Sequence, residues 1–399
     1  MKIESYTQIG GIHPETATIT NILASQGIVA PHNNKPLTEA MVFGVAGGLG
    51  CGYILWEFKK YDSAVLVLGF QNRWNYPMEY MQSLCDRLGI TAEFKVTGGK
   101  KKAASDLDEV LANQQPAVAW VDQQSLPYFF MRPMYDGCFG HYVSVFGSEE
   151  DRYLIDDRAR VPFQVEKTVF NQARARIGSY KNRLLCISAE AASIDIESPI
   201  RAGLADCIDY MGRDSQTFAI PVYRKWARLM TDSKNKKGWP KVFGNQNGLY
   251  STLRSLYEGI ELFGTGGGGL RGLYAEFLEE ADSVLGDGGL AVAAAEYRQL
   301  AKLWSSFGSV VLPESVPALA ETRRLLIKKY AVFIENGGDG LEELRTISEN
   351  LVDMEEETNT HLALSDSEIN ELFSAMQEHL FEIYESEKRA LEVLSSASL

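Results

Sequence analysis

A histidine and an aspartate stand at matching places in two consecutive apolar runs of the chain. His141 opens the run HYVSVFG, Asp157 closes the run YLIDD, and the polar stretch SEEDR separates the two. Two strand-like runs joined by a polar turn predict a β-hairpin. Alternation along the strands puts His141 on a face with Val143, Asp157 on a face with Ile155, and Asp156 on the opposite face. An imidazole and a carboxylate could then meet as the base and orienting acid of nucleophilic catalysis. The alternative is a surface histidine and a turn aspartate.

A nucleophile for this base would be expected at the start of the first predicted helix. The stretch QIGGIHPET, residues 8–16, runs into an apolar-periodic segment that stops at Gly27, as a helix does. A cysteine at such a helix N-terminus becomes more acidic in the field of the helix dipole. The residue found there is Pro14, which suits the first turn of a helix but carries no nucleophile. The sequence therefore predicts the start of a helix at this position but no nucleophile.

Two cysteines and a glutamine are candidates for the missing roles. Cys51 lies in the glycine-dense stretch FGVAGGLGCGY and is the better candidate nucleophile, because such a stretch could approach the helix N-terminus; the alternative is a small buried hydrophobe. Cys138 lies three residues from His141, but adjacency along a chain rarely gives attack geometry. Gln8, six residues before Pro14, could donate its side-chain amide to an oxyanion, although a lone glutamine indicates little by itself.

A second candidate site is the glycine run of residues 264–269 with the helix that follows it. Backbone N–H groups at Gly266 and Gly267, together with Arg271 just inside the helix, could hold a phosphate such as that of a pantetheine arm. No lysine or Ser/Thr follows in phosphate-loop spacing, so a flexible helix–helix connector is the favoured interpretation. For the aromatic residues 128–130, core packing is favoured over the lining of a pocket.

The elements that must position these residues change character at about residue 195. Residues 1–195 mix helices with short strands, and from about residue 200 helical periodicity dominates; the stretch DIESP marks the boundary. We expect an α/β protein with one domain over residues 1–195 and an all-α domain over residues 196–399. The last predicted helix has Ser365 and Glu368 as a capping box. Helices of the second half are predicted at about 200–212, 221–232, 247–263, 270–286, 289–307, 315–335, 339–356 and 366–394.

Composition narrows the classes of function. The chain has 399 residues, 45% hydrophobic and 23% charged, with a formal net charge of −14. So acidic a chain is not expected to bind nucleic acid. Its five cysteines and five histidines lack disulfide-framework or zinc spacing, so no metal is expected. No run is long enough to cross a membrane and the N-terminus lacks the apolar core of a signal peptide, so we expect a cytoplasmic protein.

Taken together, these motifs resemble a known family. Gln8, a distant His141 that opens a strand, and Asp157 on the next strand are similar to the papain-like cysteine peptidases, closest to their bacteriocin-processing branch. The runs GGIHPET, LTEAMVFGVAGGLGCGY, GHYVSVFG and LIDDRA resemble the N-terminal domain of the butirosin-biosynthesis protein H-like family, and GTGGGGLRGLYAEFLEEA resembles a motif of its helical domain. The resemblance covers almost the whole chain. It implies a papain-like α+β domain followed by an α-helical domain.

The resemblance implies acyl transfer in secondary metabolism, such as antibiotic biosynthesis. Proteins of this family pass an acyl group from a carrier-protein or coenzyme A thioester to a small-molecule amine through an acyl-cysteine. Carried over residue by residue, Gln8 is the oxyanion donor, His141 the general base and Asp157 its orienting acid. The family's run His-Cys-Glu-Thr reads HPET at residues 13–16. An acyl-enzyme at this position is therefore excluded.

Three interpretations of the site stay open. In the first, Cys51 has taken over as nucleophile. In the second, no covalent intermediate forms and His141 acts as general base for direct transfer. In the third, catalysis is lost and the fold only binds a small molecule or a carrier protein. A small-molecule substrate is expected, with an acyl carrier protein and a second copy of the chain, packed through the last helix, as further partners. No cofactor is expected.

Overall fold

Two antiparallel sheets contain the strands of this computed structural model, which describes residues 2–189, 194–286 and 288–397. In chain order the strands are β1 (Tyr53–Phe58), β2 (Ser63–Leu68), β3 (Thr91–Lys95), β4 (Ala117–Asp122), β5 (Gly140–Glu149), β6 (Arg152–Asp156), β7 (Phe163–Glu166) and β8 (Leu184–Ser188). Strands β1 and β2 form a hairpin of their own. The other six strands form one sheet in the order β3-β8-β4-β5-β6-β7, and all neighbours in it are antiparallel.

Helices make up most of the remaining described residues. They are α1 (Pro14–Ser25), α2 (Glu39–Val45), α3 (Pro77–Leu88), α4 (Lys100–Ala112), α5 (Lys167–Arg176), α6 (Glu197–Gly212), α7 (Pro221–Thr231), α8 (Trp239–Val242), α9 (Leu249–Glu261), α10 (Arg271–Leu285), α11 (Gly289–Val311), α12 (Pro317–Asn336), α13 (Leu341–Thr358) and α14 (Asp366–Ala397). Of the helices in the described ranges, none combines the length and the apolar character needed to cross a membrane.

The chain forms two compact units, and each of them is assembled from three separate segments. Unit 1 consists of Met1–Val42, Met81–Ile196 and Lys328–Asn350, and unit 2 of Phe43–Tyr80, Glu197–Ile327 and Leu351–Leu399. Unit 1 contains the six-stranded sheet with α1, α4 and α5, and unit 2 contains the β1–β2 hairpin with α6 to α11 and α14. The division into consecutive domains over residues 1–195 and 196–399 stays a prediction.

The predicted fold class is confirmed. A mixed α/β region with the six-stranded sheet is followed by a helical region that runs from α6 to α14. The capping box at the start of α14 is also present: Ser365 N–H donates to Glu368 Oε2 at 2.7 Å, and Glu368 N–H donates to Ser365 Oγ at 3.3 Å. The helical half could be predicted because amphipathic helices leave a regular apolar period in the sequence.

Four elements, β1, β7, α5 and α8, leave no clear pattern in the sequence. The residues of β1 are half-buried or exposed along its whole length, so no alternation of buried and exposed positions marks it as a strand. Strand β7 and helix α8 have four residues each, which is too short for a periodic signal. Helix α5 buries only Phe170, Ala173 and Arg174 and therefore shows little amphipathic contrast.

The hairpin that carries the candidate histidine and aspartate is confirmed. In β5 and β6, Val145 pairs with Ile155 and Ser144 pairs with Asp156, and a β-bulge lies between Val145 and Gly147. Strand β5 is buried along most of its length and has a neighbour on both sides. This burial fixes the register, because a slip by one residue would turn every apolar side chain to the other face.

Helix α1 begins at Pro14, packs against β5, and ends at Ser25. Its end agrees with the predicted stop, since Gly27 has a φ of 75° and its N–H donates to the Ala24 carbonyl. Glycine adopts this left-handed conformation without the steric cost that a Cβ would bring. Helix α1 thus lies on the sheet that carries His141.

Gly44 in α2 is a position where any side chain would overlap a neighbour. A Cβ at Gly44 would fall inside the ring of Phe277, so Gly44→Ala forces the two helices apart. We expect this substitution to lower the free energy of unfolding by about 1–3 kcal/mol. Gly272→Ala in α10, where a Cβ meets no atom within 4 Å, is the matched control and should be neutral or stabilising by up to about 1 kcal/mol. Urea unfolding measures the free energy of unfolding of both variants. An equal decrease in the two variants would contradict the close contact between Gly44 and Phe277.

Candidate active site

His141 and Asp157 meet across the hairpin. Nε2 of His141 lies 2.7 Å from Oδ2 of Asp157, and the two residues are 5% and 0% exposed. Phe129 packs edge-on against the imidazole with ring centroids 5.1 Å apart. An ionised carboxylate can only accept hydrogen bonds, so Nε2 donates to it, and in the neutral imidazole Nδ1 then presents a lone pair. Nδ1 forms no hydrogen bond with any of the described residues.

Three donors share the Asp157 carboxylate. Oδ2 accepts hydrogen bonds from His141 and from the Tyr128 hydroxyl at 3.0 Å, and Oδ1 accepts one from Arg158 Nε at 3.0 Å. Burial alone would raise the pKa of this carboxyl, but the charges and hydrogen bonds of His141 and Arg158 lower the pKa to about 2. Asp157 is therefore ionised at neutral pH and holds the imidazole in one orientation.

Arg158 connects this pair to the loop that precedes α1. Its Nη1 donates to the Ile12 carbonyl at 3.3 Å, while its Nε is bound to Asp157. The guanidinium lies over the ring of Phe333 at 5.5 Å and is 2% exposed. Nη2 is buried and has no hydrogen-bond partner among the described residues. The His141–Asp157 pair is thus linked through one side chain to the backbone two residues before Pro14.

Glu39 fixes the backbone at the start of α1 from the neighbouring helix α2. Its Oε2 accepts from the Ile12 N–H at 2.8 Å, and its Oε1 accepts from the His13 N–H at 2.8 Å and the Thr16 hydroxyl at 2.9 Å. Removal from water raises the pKa of Glu39, and these hydrogen bonds oppose that effect. The two N–H groups that border Pro14 on its N-terminal side therefore already have an acceptor within the protein.

A second histidine–carboxylate pair flanks Pro14. Nε2 of His13 lies 3.2 Å from Oε2 of Glu15, and Nδ1 of His13 lies 3.2 Å from the hydroxyl of Thr16. His13 and Glu15 are both buried. Because both ring nitrogens of His13 have a partner, this histidine holds the first turn of α1 in place and leaves no ring nitrogen for a ligand.

Pro14 lacks a nucleophile and also a backbone N–H. Gln8, the predicted oxyanion donor, uses one hydrogen of its side-chain amide to bind the Ala159 carbonyl, with Nε2 at 3.0 Å from the oxygen. An amide has two such hydrogens, so the predicted role of Gln8 rests on the second one. The site therefore offers fewer donors to an oxyanion than a cysteine at position 14 would provide.

Cys51 lies in unit 2, whereas His141 and Asp157 lie in unit 1. Cys51 is fully buried, its thiol donates to Met211 Sδ at 3.5 Å, and burial raises the pKa of the thiol. Burial also raises the pKa of Cys138, which is half-buried in unit 1. Reactive cysteines have a lowered pKa. The role of Cys51 as nucleophile stays a prediction that these surroundings do not favour.

Arg271, predicted as part of an anion site, is fully buried in an internal ion pair. Its Nη2 lies 2.7 Å from Oε1 of Glu387, and its Nη1 donates to the Gly269 carbonyl at 2.7 Å. Gly266 and Gly267 have φ of 62° and 89°. Since Glu387 neutralises Arg271 inside the protein, anion binding by these three residues stays a prediction without support from the geometry. Over the described ranges, no group of three or more His, Cys, Asp or Glu is placed to hold a metal ion.

Asp156, the last residue of β6, and Asp157, which follows the strand, have separate sets of partners, in agreement with the opposite faces predicted for them. Oδ2 of Asp156 accepts from the Tyr6 hydroxyl at 2.7 Å and from Asn21 Nδ2 at 2.8 Å, and Oδ1 accepts from the Arg158 N–H at 3.1 Å. Burial raises the pKa of Asp156 to about 6, and the charge of Asp157 adds to this effect. Two adjacent carboxyl groups thus have pKa values displaced in opposite directions.

Sequence reasoning missed most of the residues that support the pair. Arg158 follows Asp157 directly in LIDDRA. A cation next to the proposed orienting acid could have predicted that Arg158 supports the carboxylate. Tyr128 belongs to an aromatic run interpreted as core packing, which is correct for its ring, but its hydroxyl also binds Asp157. Glu39 gives no local signal, because only the fold brings α2 to the start of α1.

Comparison with known proteins gives two matches along the chain. Residues 13–158 match the family described as butirosin biosynthesis protein H, N-terminal. Residues 169–324 match a family described as a domain of unknown function, DUF4872. No curated protein matches the chain. The first match includes His141 and Asp157 together with Arg158, Glu39 and Pro14.

Asp156 should make stability depend on pH between about 4 and 6. Its pKa in the folded protein is about 6, against about 3.9 for an unfolded chain. The folded state therefore holds the proton more tightly, and stability falls as pH rises through this window, by up to about 3 kcal/mol. Asp156→Asn, which mimics the protonated form, should remove this fall. Urea unfolding at several pH values measures it.

Asp157→Asn is the matched control for this experiment. The pKa of Asp157 is lowered, so its contribution to stability is present above about pH 4 and is lost as pH falls towards 2. The free energy of unfolding of Asp157→Asn should therefore lie below that of the wild type, and this difference should shrink only below pH 4. Parallel stability curves for the wild type and Asp156→Asn between pH 4 and 6 would refute the assignment.

Proposed function

The chain belongs to the butirosin biosynthesis protein H-like family, and from this premise we propose that it transfers an acyl group directly from a thioester to an amine. The donor is a carrier-protein or coenzyme A thioester, and the acceptor is a small-molecule amine. No acyl-enzyme forms on the way. The family description of butirosin biosynthesis supports a place for this reaction in the synthesis of a secondary metabolite.

The His141–Asp157 pair is the observation that carries this proposal. The imidazole is held at Nε2 by an ionised, buried carboxylate, and its Nδ1 forms no bond within the described protein. An oriented imidazole with an unused lone pair is a general base. Nδ1 is not among the fully buried polar atoms of the described residues that lack a hydrogen-bond partner, so it remains open to a proton donor from outside the protein.

In the proposed reaction, His141 accepts a proton from the amine and then returns it to the leaving thiolate. The amine nitrogen attacks the thioester carbonyl carbon, and His141 Nδ1 removes a proton from that nitrogen as the carbon–nitrogen bond forms. When the carbon–sulfur bond breaks, the imidazolium returns the proton to the leaving sulfur. The products are an amide and a thiol, and the base is regenerated. Positioned general bases contribute roughly 10²–10⁴-fold to a rate.

The surroundings of position 14 support direct transfer over a covalent route. Pro14 cannot attack, and the buried thiol of Cys51 has a raised pKa. The lost backbone donor at Pro14 also matters, because one oxyanion donor is worth about 10²–10³-fold in rate. We therefore expect this protein to be a slower catalyst than an acyltransferase with a nucleophilic thiol. Its reaction would rely on the inherent reactivity of the thioester.

A second candidate function is the binding of a ligand without turnover. Two observations favour it: the Gln8 amide is bound to Ala159, and Glu39 occupies the N–H groups of Ile12 and His13. In that case the Asp157 network keeps the shape of the site only. The two functions differ in whether His141 changes a reaction rate.

Replacement of His141 distinguishes the two functions. We expect His141→Asn to lower the rate of amide formation between S-acetyl-N-acetylcysteamine and glycinamide by about 10²-fold or more, since the base is removed. Thiol release and mass spectrometry of the amide measure the rate. His32→Asn, at an exposed histidine in the loop before α2, is the matched control and should leave it unchanged. If the wild type forms the amide no faster than His141→Asn, direct transfer is refuted and ligand binding without turnover is the remaining function.

Restoring a thiol at position 14 tests the geometry of the site. We expect Pro14→Cys to be acetylated by S-acetyl-N-acetylcysteamine on a single residue, because the new thiol lies at a helix N-terminus. Peptide mass mapping identifies the acylated residue, and the added His141→Asn substitution should suppress the acylation. Ser25→Cys, at the opposite end of the same helix, is the matched control and should react slowly. Equal reaction at both ends of α1 would show that Pro14 does not lie in an activating position.

A further inference from the structure

The strongest concentration of positive charge in this acidic chain lies in unit 2, over residues 224–241, which we call the basic segment. Within the sequence RKWARLMTDSKNKKGWPK, seven residues are Lys or Arg and only Asp232 is acidic. The whole chain carries a formal net charge of −14, so the rest of it is more acidic still. A local reversal of charge on this scale calls for an explanation.

The basic side chains of this segment have no carboxylate partner among the described residues. All seven are exposed, and none of them forms an ion pair there. Lys225 Nζ donates to the Gln216 carbonyl at 3.3 Å, and the Arg224 guanidinium lies 5.8 Å from the ring centroid of Tyr384. The seven basic residues are Arg224, Lys225, Arg228, Lys234, Lys236, Lys237 and Lys241. Many other surface cations of the chain do have a carboxylate within 4 Å, such as Arg298 with Glu279.

The fold presents these charges on an ordered surface. Helix α7 packs against α14 through its buried face, which includes Trp226 and Met230, and this leaves Arg224, Lys225 and Arg228 on the outer face. Arg224 and Arg228 are one turn apart and therefore lie side by side. The outer face of α7 is thus uniformly basic.

The loop after α7 continues this surface. Asp232 Oδ1 accepts from the backbone N–H groups of Lys234 and Asn235 at 2.9 and 3.1 Å, and Asn235 Oδ1 accepts from the N–H of Lys237 at 3.0 Å. The single acidic side chain of the segment is therefore bound to backbone of its own loop. The lysine side chains extend from a turn that these hydrogen bonds hold together.

We propose that the basic segment is the docking surface for an acidic carrier protein that delivers the thioester. This inference rests on the proposed function, because it supplies the partner that a carrier-bound donor requires. Charge complementarity carries the assignment: an unpaired, exposed cluster of cations attracts a protein whose surface is acidic and raises the rate of encounter. The rest of the chain has a net negative charge larger than that of the whole chain, so the basic segment is the part that favours an acidic partner.

A protein partner is favoured over a nucleic acid by the rest of the chain. Nucleic-acid binding uses cations spread along a long polyanion, and a polyanion that extended beyond this segment would meet the acidic remainder of the protein. A compact acidic domain needs only a local surface. The segment offers a helix face and an adjoining turn, which is a surface of that kind.

Charge reversal at the three lysines of the turn tests this assignment. The full-length variant Lys234→Glu/Lys236→Glu/Lys237→Glu is compared with the wild type on two donors, an acetylated acyl carrier protein and S-acetyl-N-acetylcysteamine. We expect KM for the carrier-bound donor to rise at least about tenfold at low salt, with the difference shrinking as salt screens the charges. KM for the small thioester should stay unchanged, because it has no acidic surface.

The control variant makes the same change of charge elsewhere. Lys35, Lys100 and Lys101 are exposed lysines of unit 1 with no ion pair to the described residues, so Lys35→Glu/Lys100→Glu/Lys101→Glu matches the alteration in net charge. It should change KM for the carrier-bound donor by less than about twofold. An equal rise of KM in both variants would mean that net charge alone acts, and would overturn the assignment.

Direct binding separates this inference from the proposed function. Isothermal titration with the unloaded acyl carrier protein measures affinity without any turnover, so it gives a result even if neither thioester reacts. We expect the turn variant to lose at least about tenfold in affinity and the control variant to retain it. Unchanged affinity of the turn variant overturns the docking surface. Loss of affinity only for a DNA duplex would assign the segment to nucleic acid and overturn it as well.

Discussion

The buried charge of Asp157 is the constraint on which the arrangement of the site depends. A carboxylate removed from water is costly unless opposite charges and hydrogen bonds surround it. Here His141, Arg158 and Tyr128 supply them from β5, from the residue after Asp157 and from the aromatic run. Each of these side chains is held in place by its hydrogen bond to the buried carboxylate. The orientation of the imidazole therefore follows from the electrostatics of burial, independently of what reacts at Nδ1.

Helix α1 forms with a proline at its first position, where the family resemblance implies a cysteine. Proline is well suited to the first position of a helix, and α1 begins at this residue. The ion pair and hydrogen bonds that hold the first turn come from the side chains of His13, Glu15 and Glu39. None of these polar contacts depends on the type of side chain at position 14, so they are compatible with a different residue there.

The sequence predicts regular elements well and long-range contacts poorly, for physical reasons. The period of apolar residues revealed the helices of the second half, and strand alternation placed His141 and Asp157 on faces that meet. The contacts of Glu39 and Arg158 with Ile12 join parts of the chain that no local pattern relates. The burial of Arg271 against Glu387 was invisible for the same reason, since the two residues are 116 positions apart. The glycines before Arg271 suggested a ligand site, and the structure shows that this arginine is neutralised within the protein.

The segmented composition of unit 2 has a consequence for how the protein is made. A ribosome releases residues 43–80 long before residues 351–399, yet both belong to the same compact unit. Arg271 likewise emerges well before Glu387, the carboxylate that neutralises it. An incomplete chain must therefore hold the Arg271 guanidinium without its carboxylate until α14 has been synthesised. Nascent chains of this protein thus have a long interval before Glu387 emerges, during which unit 2 is incomplete and prone to aggregation.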